Sequence, residues 1–159
     1  MRERLVAPCG MNCNVCAAYL ACTHDVRSKG IRMMYCKGCM SKKRPCAFLK
    51  QKCKLLRDEE IRFCYMCPTF PCDRLSSIDK LYRTNFRMSE IENLSRIRAE
   101  GIKSFLKAER RKWKCHKCGG VISCHNGLCF DCDLETLRRK KRPYRWSRDS
   151  RRGQTGNPG

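Results

Sequence analysis

Eleven of the sixteen cysteines fall within the 64 residues from Cys9 to Cys72, and no other feature limits the fold of this chain as strongly. They are Cys9, Cys13, Cys16, Cys22, Cys36, Cys39, Cys46, Cys53, Cys64, Cys67 and Cys72. Cys13/Cys16, Cys36/Cys39 and Cys64/Cys67 have the spacing C-x-x-C. A tight turn with that spacing lets two thiolates reach one ion while the N–H groups of the turn face the sulfurs. This half of the chain is therefore expected to fold around metal.

Apolar content points the same way. With the cysteines set aside, the 42% apolar fraction falls to roughly 32%, low for a core that must stand alone. Chains in this position are stapled by disulfides or by metal. Residues 1–11 contain no apolar run of signal-peptide length, and no stretch approaches a transmembrane span. The expected location is thus a reducing cytoplasm with no membrane contact, where thiols stay available to metal.

In Cys9-Gly10-Met11-Asn12-Cys13-Asn14-Val15-Cys16 an asparagine at 12 or 14 can cap a helix through the alanine-rich run that follows. Cys22 and His24 fall at the far end of that helix, and read as a small buried hydrophobe and a surface histidine. Cys36-Lys37-Gly38-Cys39 is a knuckle whose glycine permits the turn. Pro45 suits the first turn of a helix carrying Cys46, Phe48, Leu49, Cys53 and Leu56. On a continuous helix Cys46 and Cys53 would lie about 10 Å apart along the axis, so they would serve different centres or one polynuclear cluster. Cys64 to Cys72 contains Pro68 and Pro71 and reads as an extended loop.

Residues 76–112 hold no cysteine and no proline. Helices are expected from about 77, over 89–100 behind the capping box Ser89-x-x-Glu92, and over 102–112 beyond Gly101. Cys115-x-x-Cys118 and Cys129-x-x-Cys132, ten residues apart, form a zinc-ribbon signature with Asn126-Gly127 at the hairpin turn. Cys124 and His125, inside that interval, read as a packed thiol and an exposed imidazole, with substitute ligands or a pair behind the ligands as the other possibility. After residue 136 order is expected to end. Arg138, Arg139, Lys140, Lys141, Arg142, Tyr144, Arg145 and Trp146 interleave charge with aromatic rings, which suits phosphates and exposed bases.

These segments make a small metal-stabilised α+β fold. A cysteine-rich metal module spans 1–75, a helical segment packed on it 76–112, a zinc ribbon 113–136 and a disordered basic tail 137–159. The order Cys9-Gly10, Cys13-x-x-Cys16, Cys36-x-Gly38-Cys39, Cys46, Cys53, Cys64-x-x-Cys67-Pro68 and Phe70-Pro71-Cys72 resembles the cysteine-rich family called domain of unknown function 3795. The stretch with Glu92-Asn93-Leu94, Gly101, Phe105-Leu106 and Trp113-x-Cys115 is similar to its longer members, so the resemblance covers about 5–134. It implies a bacterial or archaeal protein that binds metal. It supplies neither reaction nor substrate.

The expected metal ligands are Cys115, Cys118, Cys129 and Cys132 for zinc, and Cys9, Cys13, Cys16, Cys36, Cys39, Cys46, Cys53, Cys64, Cys67 and Cys72 for zinc or [4Fe–4S]. Cys9-x-x-x-Cys13-x-x-Cys16 has the spacing used by radical-SAM enzymes, but the chain is too short for their barrel. His24, His116 and His125 form no base–nucleophile pair, and a closed four-cysteine site has no open position, so no catalytic residue is assigned. The net charge of +21 exceeds what thiolate centres of about −2 each would neutralise, which points to a polyanion, with nucleic acid or a ribonucleoprotein as the expected partner. The alternative is an iron–sulfur protein of electron transfer or cofactor assembly.

Overall fold

The computed structural model describes residues 1–41 and 51–146. A 3-10 turn at Glu3–Leu5 comes first; Asn12, whose side-chain carbonyl accepts the N–H of Asn14 at 3.1 Å, then caps a second at Cys13–Val15. Helix α1 (Ala17–Thr23) follows directly from Cys16. Both asparagines are buried, and Asn14 also bonds the backbone of Arg2.

Cys53 departs from expectation. It precedes the single turn of α2 (Lys54–Arg57) with an extended backbone, φ −107° and ψ 114°, instead of lying inside a longer helix. One turn is enough to bury Leu56, the apolar side chain that anchors it. Cys46, Phe48 and Leu49 lie outside the described residues.

Helix α3 (Asp73–Phe86) starts immediately after Cys72, four residues ahead of the sequence expectation, with Asp73 in the first turn where the helix dipole favours it. It ends at Arg87 in the left-handed region. Helix α4 (Glu90–Lys112) opens on the expected cap, the Ser89 hydroxyl accepting the Glu92 N–H at 3.0 Å. Gly101, at φ 79° and ψ 158°, breaks it into the two helical runs that the glycine foretold. A last helix, α5, spans Leu134–Arg139.

Strands are where the fold differs from the anticipated α+β mixture. Among the described residues, the extended pairings are isolated bridges at Val6/Asn12, Lys114/Val121 and Ile122/Cys129. The segments around the last two knuckles turn back every few residues, too soon for a ladder to grow. The fold is small, cysteine-rich and mainly helical.

Two apolar clusters hold these elements. Val15, Leu56, Phe63, Leu75, Leu94 and Phe105 pack in the first, with Trp113 and Cys124. Ala17, Leu20, Val26, Ile31, Phe130 and Leu137 form the second, which joins α1 to α5. Buried polar groups stitch the N-terminal turn to α4. Glu109, 1% exposed, accepts from Asn12 at 3.1 Å and from the Trp113 indole at 3.0 Å. Asn93 donates to the Gly10 carbonyl at 2.9 Å. A Cβ on Gly10, whose φ is +88°, would stand 2.4 Å from the Glu90 carbonyl oxygen, so only glycine lets the two backbones meet here.

Residues 137–146, expected as part of a disordered tail, are fastened to this body. Leu137 is buried. The Tyr144 hydroxyl accepts the Met34 N–H at 2.6 Å, and the Trp146 indole donates to the Cys124 carbonyl at 2.8 Å. Apolar ring surface and a hydroxyl or N–H partner outweigh the surrounding charge. The rest of the anticipated tail, 147–159, lies outside the described residues.

Candidate metal centre

Two backbone turns build the clearest site. In the first, the Cys115 N–H bonds the Gly120 carbonyl at 2.8 Å and the Gly119 N–H returns to the Cys115 carbonyl at 2.9 Å. The Gly120 N–H points at Cys118 Sγ, 3.4 Å away. In the second, the Asp133 carboxylate accepts the Cys129 N–H at 2.9 Å, and Lys117 lies 3.6 Å from the same carboxyl group. The turns bring Cys115, Cys118, Cys129 and Cys132 together, with all four sulfurs within 4.8 Å of one another.

The pair Cys118/Cys129 is separated by 3.6 Å and Cys115/Cys132 by 4.0 Å. Four sulfurs about 2.3 Å from one ion define a tetrahedron with edges of about 3.8 Å, so the donor set fits a single four-coordinate metal. Its electrostatics agree. Backbone N–H groups of Cys118 and Lys117 facing Cys115 lower its thiol to about 7. The adjacent Cys118 raises Cys132 to about 12, and burial raises Cys129. Four thiolates this close repel one another, and a divalent cation is the group that allows all four to ionise.

Cys124 and His125 are not part of that tetrahedron. Cys124 is fully buried, its N–H bonding the Val15 carbonyl at 2.9 Å and its sulfur 3.2 Å from His125 Nδ1. His125 is buried as well, contrary to the exposed imidazole expected from sequence, because Tyr82 and Phe86 close over its ring. That burial lowers its pKa to about 4 and keeps the ring neutral. His24 is half-buried beside Phe130, with Nδ1 3.0 Å from an Asp131 oxygen, and Cys22 is half-buried where a buried thiol was expected.

The N-terminal cysteines gather in two places. The Cys39 N–H donates to Cys13 Sγ at 3.3 Å, across 26 residues, and the Gly38 N–H to Cys36 Sγ at 3.4 Å. Burial raises the Cys16 thiol to about 11, with Cys13 and Cys36 close enough to add to the rise. The knuckles Cys13/Cys16 and Cys36/Cys39 therefore face each other. Cys53, Cys64, Cys67 and Cys72 instead line one cavity. Cys9 is buried beside this second group, since the neighbouring Pro8 carbonyl accepts the Cys64 N–H at 2.9 Å. Cys46 lies outside the described residues. None of the fifteen described cysteines forms a disulfide. Among the described residues, the group of three or more such donors placed to hold a metal ion is the C-terminal four.

Of the residues singled out for nucleic acid, Arg138, Arg139, Lys141, Arg142 and Arg145 are exposed and Lys140 is half-buried. Arg138 and Arg139 bind Glu135 at 2.6 and 3.0 Å. The aromatic pair is engaged internally: Tyr144 through Met34, and Trp146 between Gly127 and the Arg87 guanidinium, 4.1 Å from its ring centre. Sequence reasoning missed the buried acids Asp79, Glu90 and Glu109. A carboxylate on a helix face reads as solvated until its neighbours are known.

No helix among the described residues is long and apolar enough to cross a membrane. No curated protein and no solved structure matches the chain. The sequence pattern of one family, described as "Protein of unknown function (DUF3795)", matches residues 5–77. The knuckles Cys13/Cys16, Cys36/Cys39 and Cys64/Cys67 all fall within that match, whereas the stretch from 78 to 134 lies beyond it. Over residues 5–77, a little under half of its length, this chain is similar to that family, whose description assigns no function.

Proposed function

We propose that this is a non-enzymatic metal-binding protein in which zinc at Cys115, Cys118, Cys129 and Cys132 fixes the C-terminal half. One observation carries the reading: four thiols from two turns, each turn folded by its own backbone bonds, converge within 4.8 Å. A closed set of four sulfurs leaves no position for a substrate, which is the character of a structural site. The facing knuckles Cys13/Cys16 and Cys36/Cys39 are a second place for metal. Because ligation and folding are linked at such sites, chelation should unfold residues 113–134 first. Circular dichroism and amide exchange on chelator-treated protein test this, and full protection of 113–134 without metal would refute it.

The partner we propose is nucleic acid, met by charge and not by stacking. A formal charge of +21 supports a polyanion. Exposed Arg110, Arg111, Lys112 and Lys114 at the end of α4 add to the exposed arginines near α5. With Tyr144 and Trp146 packed inward, binding should be insensitive to base identity and fall steeply with salt. Titration of labelled RNA between low and moderate salt reads this out. An affinity that does not change with salt would remove nucleic acid as the partner and leave the metal reading intact.

A further inference from the structure

A cavity of about 440 Å³ lies between α2, the 3-10 turn Cys64–Met66 and the start of α3, and four of its lining side chains are Cys53, Cys64, Cys67 and Cys72. They arrive from three separate elements: the residue before α2, the two ends of the Cys64–Cys67 turn, and the residue before α3. Four thiols around one cavity, brought from three elements, are not the outcome of local spacing. Only Cys64/Cys67 was legible as a pair.

The size of the space separates this site from the C-terminal one. A single ion draws four sulfurs to within about 4 Å of one another, and among the described residues it is the C-terminal four, and not these, that are grouped closely enough to hold one. The cavity has room for many times the roughly 30 Å³ share of one water molecule. Donors that stand apart around such a space suit a polynuclear core, in which each thiolate holds its own metal atom. The walls agree in charge. Lys52, Lys54 and Arg74 line the cavity against one carboxylate, Asp73, a formal surplus of two positive charges. An oxidised [4Fe–4S] core with four thiolates carries about −2. Ile61, Phe70 and Leu75 would give the core an apolar wall on one side, with Cys72 at its exposed edge.

We infer that Cys53, Cys64, Cys67 and Cys72 ligate a [4Fe–4S] cluster in this cavity. A preformed [4Fe–4S] core delivered by a thiolate carrier exchanges its four Fe–S bonds to the carrier for four to Cys53, Cys64, Cys67 and Cys72, and the four protons these thiols release pass to the departing thiolates, with no change of oxidation state. The inference does not depend on zinc at Cys115, Cys118, Cys129 and Cys132.

The test is iron, acid-labile sulfide and zinc content of the full chain, purified anaerobically from iron-replete cells. The expected result is a brown protein with about four iron and four sulfide per chain. Cys67→Ser combined with Cys72→Ser should lose both and keep the C-terminal zinc. Cys118→Ser should lose zinc and keep the iron. Wild-type protein without iron or sulfide overturns the inference, as does iron retained in the double variant. Should the double variant not fold, Cys67→Ser alone is read by electron paramagnetic resonance after reduction. A changed or absent cluster signal is expected, and a spectrum identical to wild type overturns the assignment.

Discussion

Glu90 is a buried carboxyl whose proton the fold retains, and its replacement gives a signed, quantitative prediction. Its side chain is fully buried at the N-terminus of α4, and neither carboxylate oxygen has a hydrogen-bond partner among the described residues. Burial, with a smaller contribution from Asp79, raises its pKa from 4.5 to about 8. Below the unfolded value both states hold the proton, and the group has no effect on stability. Between 4.5 and about 8 the unfolded chain releases its proton while the folded chain keeps it, so rising pH destabilises the fold. At about 1.4 kcal/mol per pH unit the ceiling is roughly 5 kcal/mol. Water entry and local relaxation bring the expected value to about 2 kcal/mol. Glu90→Gln abolishes the titration. Urea unfolding of metal-loaded wild type and variant should give equal stability near pH 4.5, and a variant more stable by about 2 kcal/mol at pH 8. A difference independent of pH would refute the reasoning. So would a wild type that gains on the variant as pH rises, which would mean an ionised and paired carboxylate.

Other perturbations test the packing that positions the sites. Ser89→Ala removes the cap of α4 and a 2.6 Å bond to buried Asp79, and should cost about 2 kcal/mol in thermal unfolding. Gly10→Ala, at φ +88° and against the Glu90 carbonyl, should destabilise well beyond Gly30→Ala, which has φ +75° but open space around it. The second substitution bears only the left-handed backbone term of about 1–2 kcal/mol, and equal losses in denaturant midpoint would contradict the close approach. Trp146→Ala should cost about 2 kcal/mol and speed amide exchange at Gly127, because the ring lies against that glycine and bonds the Cys124 carbonyl.

Local signals in the sequence were reliable. The Ser89 capping box, the break at Gly101 and the tetrad Cys115, Cys118, Cys129 and Cys132 each depend on a few neighbouring residues, whereas the asparagine expected to cap α1 caps the 3-10 turn ahead of it, and Cys16 precedes α1 with no side-chain cap. What escaped depends on distant partners. Cys13 and Cys39 meet across 26 residues. Cys53 sits outside a helix because Leu56 needs only one turn to reach the core. Tyr144 and Trp146 sit in a basic stretch that composition marks as unable to pack, yet Met34 and Cys124 supply their hydrogen-bond partners. Extended pairings stopped at single bridges because the knuckles reverse the chain before a ladder can form.

X-ray absorption at the zinc edge of the purified protein, compared between wild type and Cys118→Ser, tests the C-terminal centre most directly. Zinc surrounded by sulfur alone is expected in the wild type, with one zinc per chain lost in the variant. Zinc bound through nitrogen or oxygen, or zinc content unchanged by the substitution, would contradict it.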